Sequence, residues 1–169
     1  LKAGEHLFLL NGILPNRQST PVVDEWFALR FLDGFFAHEL SVEELLQATR
    51  YGRTDTPNRN LLGAKQVEDV QEVLPFAVDE ARSILSRKRQ EYQERINPLL
   101  EEELGKLVAL EGRHKQALEQ QSMLETVKSH RIGKVEQLFA ELTTWMENTL
   151  DTEDRPYLRV IAAFTGVEA

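Results

Sequence analysis

Cysteine is absent from all 169 residues of the chain. Disulfides and cysteine-ligated zinc sites are therefore excluded, and this residue usage is typical of a reducing compartment. The sequence also lacks any apolar run of the 18 or more residues from which a membrane-spanning helix is predicted. Its longest apolar runs, Leu7–Leu10 and Val160–Phe164, have the length of strands. We therefore expect a cytoplasmic protein without membrane contact.

Positive charge is scarce, since 20 lysines and arginines stand against 28 acidic residues, for a net charge of −8. A freestanding nucleic-acid binder usually carries a basic surface, so the acidity argues against a chain that wraps a duplex by itself. The sequence begins with Leu1 and not methionine, and no signal-peptide pattern follows. We therefore expect it to be a piece of a longer polypeptide.

The first forty residues read as β-rich. Asn11-Gly12 stands between two apolar runs, which is the strongest short hairpin signal, and predicts a hairpin there. In the segment Trp26–Phe31, alternation places Phe27, Leu29 and Phe31 on one face, and aromatic residues favour strands, so a strand is predicted there, closed by a turn at Asp33-Gly34. We expect Trp26, together with Trp145, to anchor the core.

Helical signals follow. Ser41 and Glu44 form a capping box, which predicts a short helix over Val42–Thr49. Helical spacing resumes near Val67, strengthens after Pro75 and continues toward Leu124. An interior proline removes a backbone donor and clashes with the preceding turn, so Pro98 predicts a kink or a break.

A coiled-coil seam is predicted beyond that proline. Steps of four and three residues connect its members: Leu100, Leu104, Leu107, Glu111, His114, Leu118 and Gln121. A chain reversal between Gln120 and Arg131, an amphipathic helix over Ile132–Leu150 and a final strand over Leu158–Phe164 complete the pattern.

These elements predict an α+β fold that is mainly helical. A small, mostly antiparallel β-sheet carries a projecting, long, kinked, coiled-coil-like hairpin of two helices. Residues 1–66 would form the β-rich base, residues 67–150 the hairpin, and residues 151–169 a strand that returns to the base. All three segments would belong to one structural domain.

The stretch 49–65 is the candidate functional surface. Within it, Asp55 is the single anion, and the candidate contact residues are Arg50, Tyr51, Arg53, Arg59 and Lys65. Arginines beside an exposed aromatic ring suit phosphate contact and base stacking. The alternative interpretation is a solvated connector whose cations pair with acidic helix faces.

No catalytic, cofactor-binding or metal-binding residue is predicted. Gly63-Ala64-Lys65-Gln66 lacks the first glycine and the Ser/Thr of a phosphate-binding loop. The four histidines show no metal-ligand spacing, and His114 is interpreted as a packing residue. We therefore expect this piece not to be an enzyme and to need no cofactor.

Several short segments, taken in order, resemble a known family. They are Ala81-Arg82-Ser83-Ile84-Leu85, Glu103–Leu110 and Tyr157–Ala162, with further similarity over Thr49–Gly52 and Glu147–Ala163. Together they resemble the C-terminal region of bacterial Swi2/Snf2 helicase-like ATPases of the RNA-polymerase-associated RapA (HepA) type.

The resemblance implies a non-catalytic accessory or docking domain that follows an ATP-driven DNA translocase. ATP and Mg binding, ATP hydrolysis and DNA binding would belong to the upstream ATPase lobes of the parent protein. None of that family's catalytic residues matches a position here. The implied partners are those lobes and RNA polymerase.

Two other functions stay open at this point. The chain could be a standalone coiled-coil adaptor or dimerisation module that self-associates through the Leu100–Leu118 seam. It could also be a nucleic-acid contact domain that uses the basic stretch 50–65.

Overall fold

The structure, a computed structural model, describes residues 1–51 and 64–166, the side chains of 64–66 excepted. The elements in chain order are β1 (Glu5–Pro15), β2 (Pro21–Leu32), β3 (Phe35–Leu40), α1 (Val42–Thr49), α2 (Ala64–Glu119), α3 (Glu125–Leu150) and β4 (Tyr157–Thr165). The strands form one antiparallel sheet in the order β3-β2-β1-β4. The predicted α+β class is confirmed.

The chain divides into two compact units. The sheet unit comprises Leu1–Leu14, Val23–Arg89 and the residues from Asp154 onward. The hairpin unit comprises Pro15–Val22 and Gln90–Glu153. The long helix α2 contributes residues to both units. None of the described helices is both long and apolar enough to cross a membrane.

The sheet unit buries apolar residues on both faces of its sheet. Its larger cluster joins three strands and the first part of α2, and consists of Phe8, Leu10, Phe27, Leu29, Phe31, Val73, Ala77, Ala81, Ile84 and Leu85. The smaller cluster joins the opposite face to α1, and consists of Leu7, Ala28, Leu40 and Leu45. Successive residues of a strand point to opposite faces, so the run Leu7–Leu10 is apolar throughout because both faces are covered.

The predicted hairpin at Asn11-Gly12 is wrong, because β1 continues through both residues. Asn11 is buried, and its Nδ2 donates to the Asp24 carboxylate at 2.6 Å and to the Glu25 carbonyl at 3.3 Å. Gly12 lies against Leu85, which leaves no room for a side chain. Asn11 therefore makes buried hydrogen bonds, and Gly12 allows Leu85 to approach the strand closely; neither residue forms a turn.

The turn between β1 and β2 lies at Asn16, within the hairpin unit. The buried Asn16 side chain accepts from the amides of Gln18 and Thr20, both at 2.9 Å. Its Nδ2 donates to the Thr149 carbonyl at 2.7 Å. Arg17 pairs with Asp151 at 2.9 Å. This turn is thereby fastened to the end of α3.

The predicted strand around Phe27, Leu29 and Phe31 and the turn after it are confirmed. Asp33 and Gly34 have φ values of 50° and 83°, the left-handed pair that suits a two-residue hairpin. The strand β3 that follows was not predicted. Its residues are exposed except Leu40, so they show no alternation of polarity.

The capping box is confirmed, since Ser41 N donates to Glu44 Oε2 at 2.7 Å and Glu44 N to Ser41 Oγ at 3.2 Å. Helix α1 has the predicted bounds. Helix α2, however, is not broken at Pro98. A proline costs the helix one hydrogen bond, and the half-buried Ile96 and Leu100 on either side of it keep this part of α2 packed within the hairpin unit.

The hairpin unit pairs the second part of α2 with α3. The reversal lies at residues 120–124, inside the predicted window. The half-buried positions of this part of α2 are Gln93, Ile96, Leu100, Leu104, Leu107, Glu111, Lys115 and Leu118. Those of α3 are Lys128, Ile132, Val135, Thr143, Met146, Asn148, Thr149 and Leu150, and Phe139 is buried. The leucines of the predicted seam and Glu111 occupy half-buried positions, and the coiled coil itself stays a prediction.

Two of the seam positions and both tryptophans differ from expectation. His114 and Gln121 are exposed, although the His114 ring still lies 6.0 Å from the Phe139 ring. Trp26 and Trp145 are 49% and 57% exposed, so neither anchors the core. Trp26 lies on the opposite face of β2 from the buried Phe27. Trp145 is exposed and directly precedes Met146, a half-buried position of α3.

Candidate interaction surfaces

The predicted basic stretch is described at residues 49–51 and, for the backbone, at residues 64 and 65. Arg50 ends α1 in a left-handed conformation with φ 52°, and its side chain is exposed. Tyr51 is 64% exposed, and its ring makes a T-shaped contact with the ring of Phe164, with centroids 6.0 Å apart. Arg53 and Arg59 lie outside the described residues, and so does the side chain of Lys65. Of the predicted set, the structure thus describes the side chains of one cation and one aromatic residue, which are neighbours in sequence and both exposed.

A second surface in the sheet unit was not predicted, and we call it the aromatic groove. It is a hollow of about 360 Å³ lined by Phe31, Gly34, Phe35, Phe36, Phe76, Asp79, Glu80 and Ser83. Phe35 is 77% and Phe76 63% exposed. Large apolar side chains exposed side by side are characteristic of interaction sites.

The floor of the aromatic groove is connected to the core through stacked rings. Phe8 and Phe31 meet edge to face at 5.7 Å, and Phe31 meets Phe36 at the same distance. A register shift in the β2–β3 pair after Arg30 places Phe31 opposite Phe36. The floor is therefore held by buried packing, while Phe35 and Phe76 remain exposed.

Strand β3 lies at the edge of the sheet beside this groove. It pairs with β2, and the strand order places no described strand on its other side. An edge strand presents unpaired backbone N–H and C=O groups that can pair with another extended chain. Aromatic side chains and available backbone groups are thus adjacent.

The wall that α2 contributes to the groove is acidic. Asp79 and Glu80 lie on it, and none of the described lining residues is basic. Asp79 pairs with Arg82 at 3.2 Å, but both side chains are largely exposed, and such pairs are weak. The electrostatics of the groove therefore favour a cationic ligand.

The hairpin unit carries a further apolar surface, which we call the hairpin stripe. It consists of Leu99, Leu110, Leu138, Leu142 and Trp145, with exposures of 55%, 39%, 52%, 37% and 57%.

A charged cluster also joins the two helices of this unit. Lys115 Nζ lies 2.7 Å from carboxylates of both Glu111 and Glu136. Hydrogen bonds to these two carboxylates raise the pKa of Lys115. The cluster is a contact between α2 and α3 and carries no reactive group.

Sequence reasoning missed Phe35, Phe36 and Phe76, although a signal exists. Phe35-Phe36 directly follows the Asp33-Gly34 turn, where a second strand would begin. Phe76 precedes Ala77, a buried position of α2, by one residue and so lies outside the core-facing spacing. Among the described residues, no group of three or more His, Asp or Glu side chains could hold a metal ion.

Comparison with known proteins identifies no relative. No family model matches the chain, and no curated protein or solved structure matches it either. The resemblance to Swi2/Snf2 helicase-like ATPases therefore stays a hypothesis.

Proposed function

We propose that this chain is a non-catalytic protein-docking domain that binds an extended, apolar and cationic segment of a partner through the aromatic groove. The observation that carries the proposal is the exposure of Phe35 and Phe76 beside the edge strand β3. An extended segment would add a strand to β3, and its alternate side chains would enter the groove.

The chemistry of the groove supports strand addition to β3 with side chains of the segment in the groove. Burying one phenylalanine side chain is worth roughly 1.5–3 kcal/mol, so covering the two exposed rings gives a useful driving force. Backbone hydrogen bonds to an edge strand supply affinity, while side-chain pockets supply specificity. Asp79 and Glu80 favour lysine or arginine in the segment that binds.

The resemblance provides a biological setting for this proposal. In a Swi2/Snf2-type parent protein, the segment would belong to the ATPase lobes of the same chain or to RNA polymerase. The parent, and not this piece, would bind ATP and Mg, contact DNA and hydrolyse ATP. Turnover of ATP by the 169-residue chain alone would overturn the non-catalytic assignment.

A ten-residue peptide that alternates valine with lysine is a suitable probe of the groove. We expect it to shift the backbone amide resonances of residues 35–40 in the full chain, and added salt should weaken its binding. Phe76→Ser should abolish these shifts. Val108→Ser is the matched control, because Val108 is 66% exposed in the hairpin unit.

Two results would reject the proposal. One is equal binding by the Phe76→Ser variant and the unmodified chain. The other is equal binding of a peptide with glutamate in place of lysine, since the acidic wall should repel it.

Nucleic-acid contact remains a second hypothesis, favoured by the exposure of Tyr51 next to Arg50. It predicts binding to single-stranded DNA or RNA that weakens steeply with salt, and a loss of affinity in Tyr51→Ala. Absent or salt-independent binding would reject it.

A further inference from the structure

Charge is distributed unevenly along the two helices of the hairpin unit. We call residues 112–135, which surround the reversal between α2 and α3, the hairpin tip. The hairpin tip carries five lysines and arginines against two glutamates, a net charge of +3. Residues 90–111 carry two lysines and arginines against six acidic residues, and residues 136–153 carry five acidic residues and neither lysine nor arginine. The hairpin tip is therefore a basic region between two acidic ones.

Three of the five cations in the hairpin tip are available to a ligand. Lys115 and Lys128 form ion pairs with glutamates of the same unit. Among the described residues, no carboxylate lies within ion-pair distance of Arg113, Arg131 or Lys134. All three side chains are exposed. Their charges are not neutralised within the unit, so they can attract an anionic ligand.

The half-buried positions show which side of the hairpin these cations occupy. Arg131 and Lys134 of α3 and His114 of α2 each directly precede a half-buried residue. In a right-handed helix, one residue back is a rotation of about 100° in a fixed sense. In two antiparallel helices that face each other, this sense leads to the same side of the pair. The three residues therefore share one side of the hairpin tip, which we call the basic side.

The acidic residues near the basic side point elsewhere. Glu119 and Glu136 each directly follow a half-buried residue, so the same rule places them on the opposite side of the hairpin. Lys115 meets Glu136 there at 2.7 Å, across the two helices. Glu125, in the first turn of α3, lies 3.8 Å from Lys128. The cations and the carboxylates of the hairpin tip are thus segregated.

We propose that the basic side of the hairpin tip binds the phosphate backbone of a nucleic acid. Arg131 and Lys134 are three residues apart and therefore neighbours on the helix surface, about 4.5 Å apart along its axis. One strand of a duplex presents a phosphate every 3.4 Å of its axis, roughly the same spacing. Arginine can bind a phosphate through two parallel hydrogen bonds, and lysine binds one as a point charge. Arg113, one residue before His114, supplies a third contact.

The positions of two glutamates favour a nucleic acid over a membrane surface. Glu119 and Glu125 flank the reversal, so a lipid surface that approached the hairpin end-on would meet them first. Arg131 and Lys134 lie about 9 and 14 Å further along α3. A polymer that crosses the side of the hairpin reaches these cations and avoids both glutamates.

The charge density of the ligand also separates a nucleic acid from an acidic polypeptide. A duplex carries one negative charge per 1.7 Å of its axis, whereas an extended chain of glutamates carries one per roughly 3.5 Å. Three cations close together therefore gain more from the duplex. Phosphate contacts carry no sequence information, so the binding should not depend on base sequence.

This site is separate from the other candidate surfaces. The aromatic groove and the residues Arg50 and Tyr51 belong to the sheet unit, whereas the basic side belongs to the hairpin unit. The docking proposal, the nucleic-acid hypothesis for Tyr51 and the present proposal can therefore fail independently of one another.

Fluorescence anisotropy of a labelled DNA duplex of about 20 base pairs, titrated with the full chain, tests the proposal. With three phosphate contacts, the dissociation constant should rise about fortyfold between 50 and 200 mM salt. Lys134→Gln should weaken binding and reduce the slope of log Kd against log salt by about 1. Lys106→Gln removes the same charge from the same unit, but Lys106 is paired with Glu102 and Glu103, so it should bind like the unmodified chain.

Further variants and ligands identify the site and its partner. The double variant Arg131→Glu, Lys134→Glu should abolish binding, and circular dichroism should show that its helices are intact, because both positions are exposed. Tyr51→Ala should bind the duplex as the unmodified chain does. Poly-glutamate of equal total charge should compete poorly, and vesicles that contain anionic lipid should bind more weakly than the duplex.

Four results would overturn the proposal. The first is no binding of the duplex at 50 mM salt, and the second is an equal effect of Lys134→Gln and Lys106→Gln. The third is a loss of binding in Tyr51→Ala without a loss in Lys134→Gln, which would move the contact to the basic stretch. The fourth is a preference for anionic vesicles or poly-glutamate over the duplex, which would assign the basic side to a membrane or to an acidic protein.

Discussion

Leu85 of α2 occupies the space that a side chain on Gly12 of β1 would need. A β-carbon at Gly12 would lie 2.9 Å from Leu85 Cγ and closer still to both methyl groups. Leu85 is fully buried, so it has no room to withdraw. This contact fixes how closely the first part of α2 approaches the sheet, and with it the position of the α2 wall of the aromatic groove.

We therefore expect Gly12→Ala to destabilise the protein. Overpacking in a core costs about 1–3 kcal/mol, measured as the loss in free energy of unfolding in urea. Adding Leu85→Val should recover part of the loss, because the two changes share one contact.

Gly105→Ala is the matched control for this prediction. No atom within 4 Å meets a β-carbon added there, in the exposed part of α2. It should stabilise the helix by about 0.5–1 kcal/mol, since alanine restricts the unfolded chain. A neutral Gly12→Ala would contradict the close contact with Leu85.

The buried carboxamide of Asn11 gives a second prediction. In Asn11→Asp, the introduced carboxylate would replace a donor beside the Asp24 carboxylate, with a loss of about 1–3 kcal/mol at pH 7. Burial and the neighbouring carboxylate would raise the pKa of the introduced group in the folded state. The penalty is therefore present above its unfolded pKa and shrinks as the pH falls.

Urea unfolding at pH 7 and pH 4 checks this prediction. Asn97→Asp is the control, because Asn97 is exposed on α2 and the same change should be nearly neutral there. Equal effects of the two substitutions would mean that the Asn11 hydrogen bonds contribute nothing.

Tyr92 in the hairpin unit gives an alkaline prediction. Its hydroxyl donates to the Leu150 carbonyl at 3.0 Å, and the side chain is 7% exposed. Burial, with a smaller contribution from Asp151, raises the pKa of Tyr92 above 10.0. Its contribution to stability is therefore complete below pH 10 and is lost as the pH rises through the folded pKa.

Tyr92→Phe should lower the free energy of unfolding by about 0.5–1.5 kcal/mol at pH 7 and flatten its decline above pH 10. Tyr157→Phe, at a 63% exposed position, should leave both unchanged. If the free energy of unfolding of Tyr92→Phe declined above pH 10 as steeply as that of the unmodified protein, the decline would be due to other groups.

The capping box gives an acid prediction. Hydrogen bonds from the backbone and then the hydroxyl of Ser41 lower the pKa of Glu44 below its usual 4.5. A lowered pKa contributes stability that is present above the unfolded value and is lost as the pH falls through the folded value. Ser41→Ala should cost about 1 kcal/mol at pH 7.

Glu44→Gln should reduce the loss of stability between pH 5 and pH 3, measured by urea unfolding. Glu43→Gln is its control, since Glu43 lies in the same first turn but outside the capping box. If both variants changed the acid slope equally, the effect would come from net charge and not from the box.

Elements whose signals are local were predicted well. The capping box at Ser41, the left-handed pair Asp33-Gly34 and the alternation of Phe27, Leu29 and Phe31 each depend on a few neighbouring residues. The reversal before α3 and the strand β4 were found for the same reason. In each case, the residues that determine the backbone geometry and the hydrophobic period lie within one short segment.

The interaction surfaces were predicted less well. Arg50 and Tyr51 are the described candidate residues of the basic stretch. They were chosen for residue type and nearness in sequence, and this does not determine which side chains lie close together in space. The aromatic groove went unnoticed because Phe35 and Phe76 are distant in sequence and meet only when β3 and α2 pack in the same unit.

The sequence by itself determined the kinds of element, their approximate order and where most of them end, because caps, turns and periodicity act over a few residues. The tertiary structure decided which apolar residues became core and which became surface. Asn11-Gly12 lies within a strand because Asp24 and Leu85 approach it, and Trp145 is exposed because α3 turns Phe139 inward. Burial of a side chain depends on which residues from distant parts of the chain pack against it. A local sequence pattern contains no information about those residues.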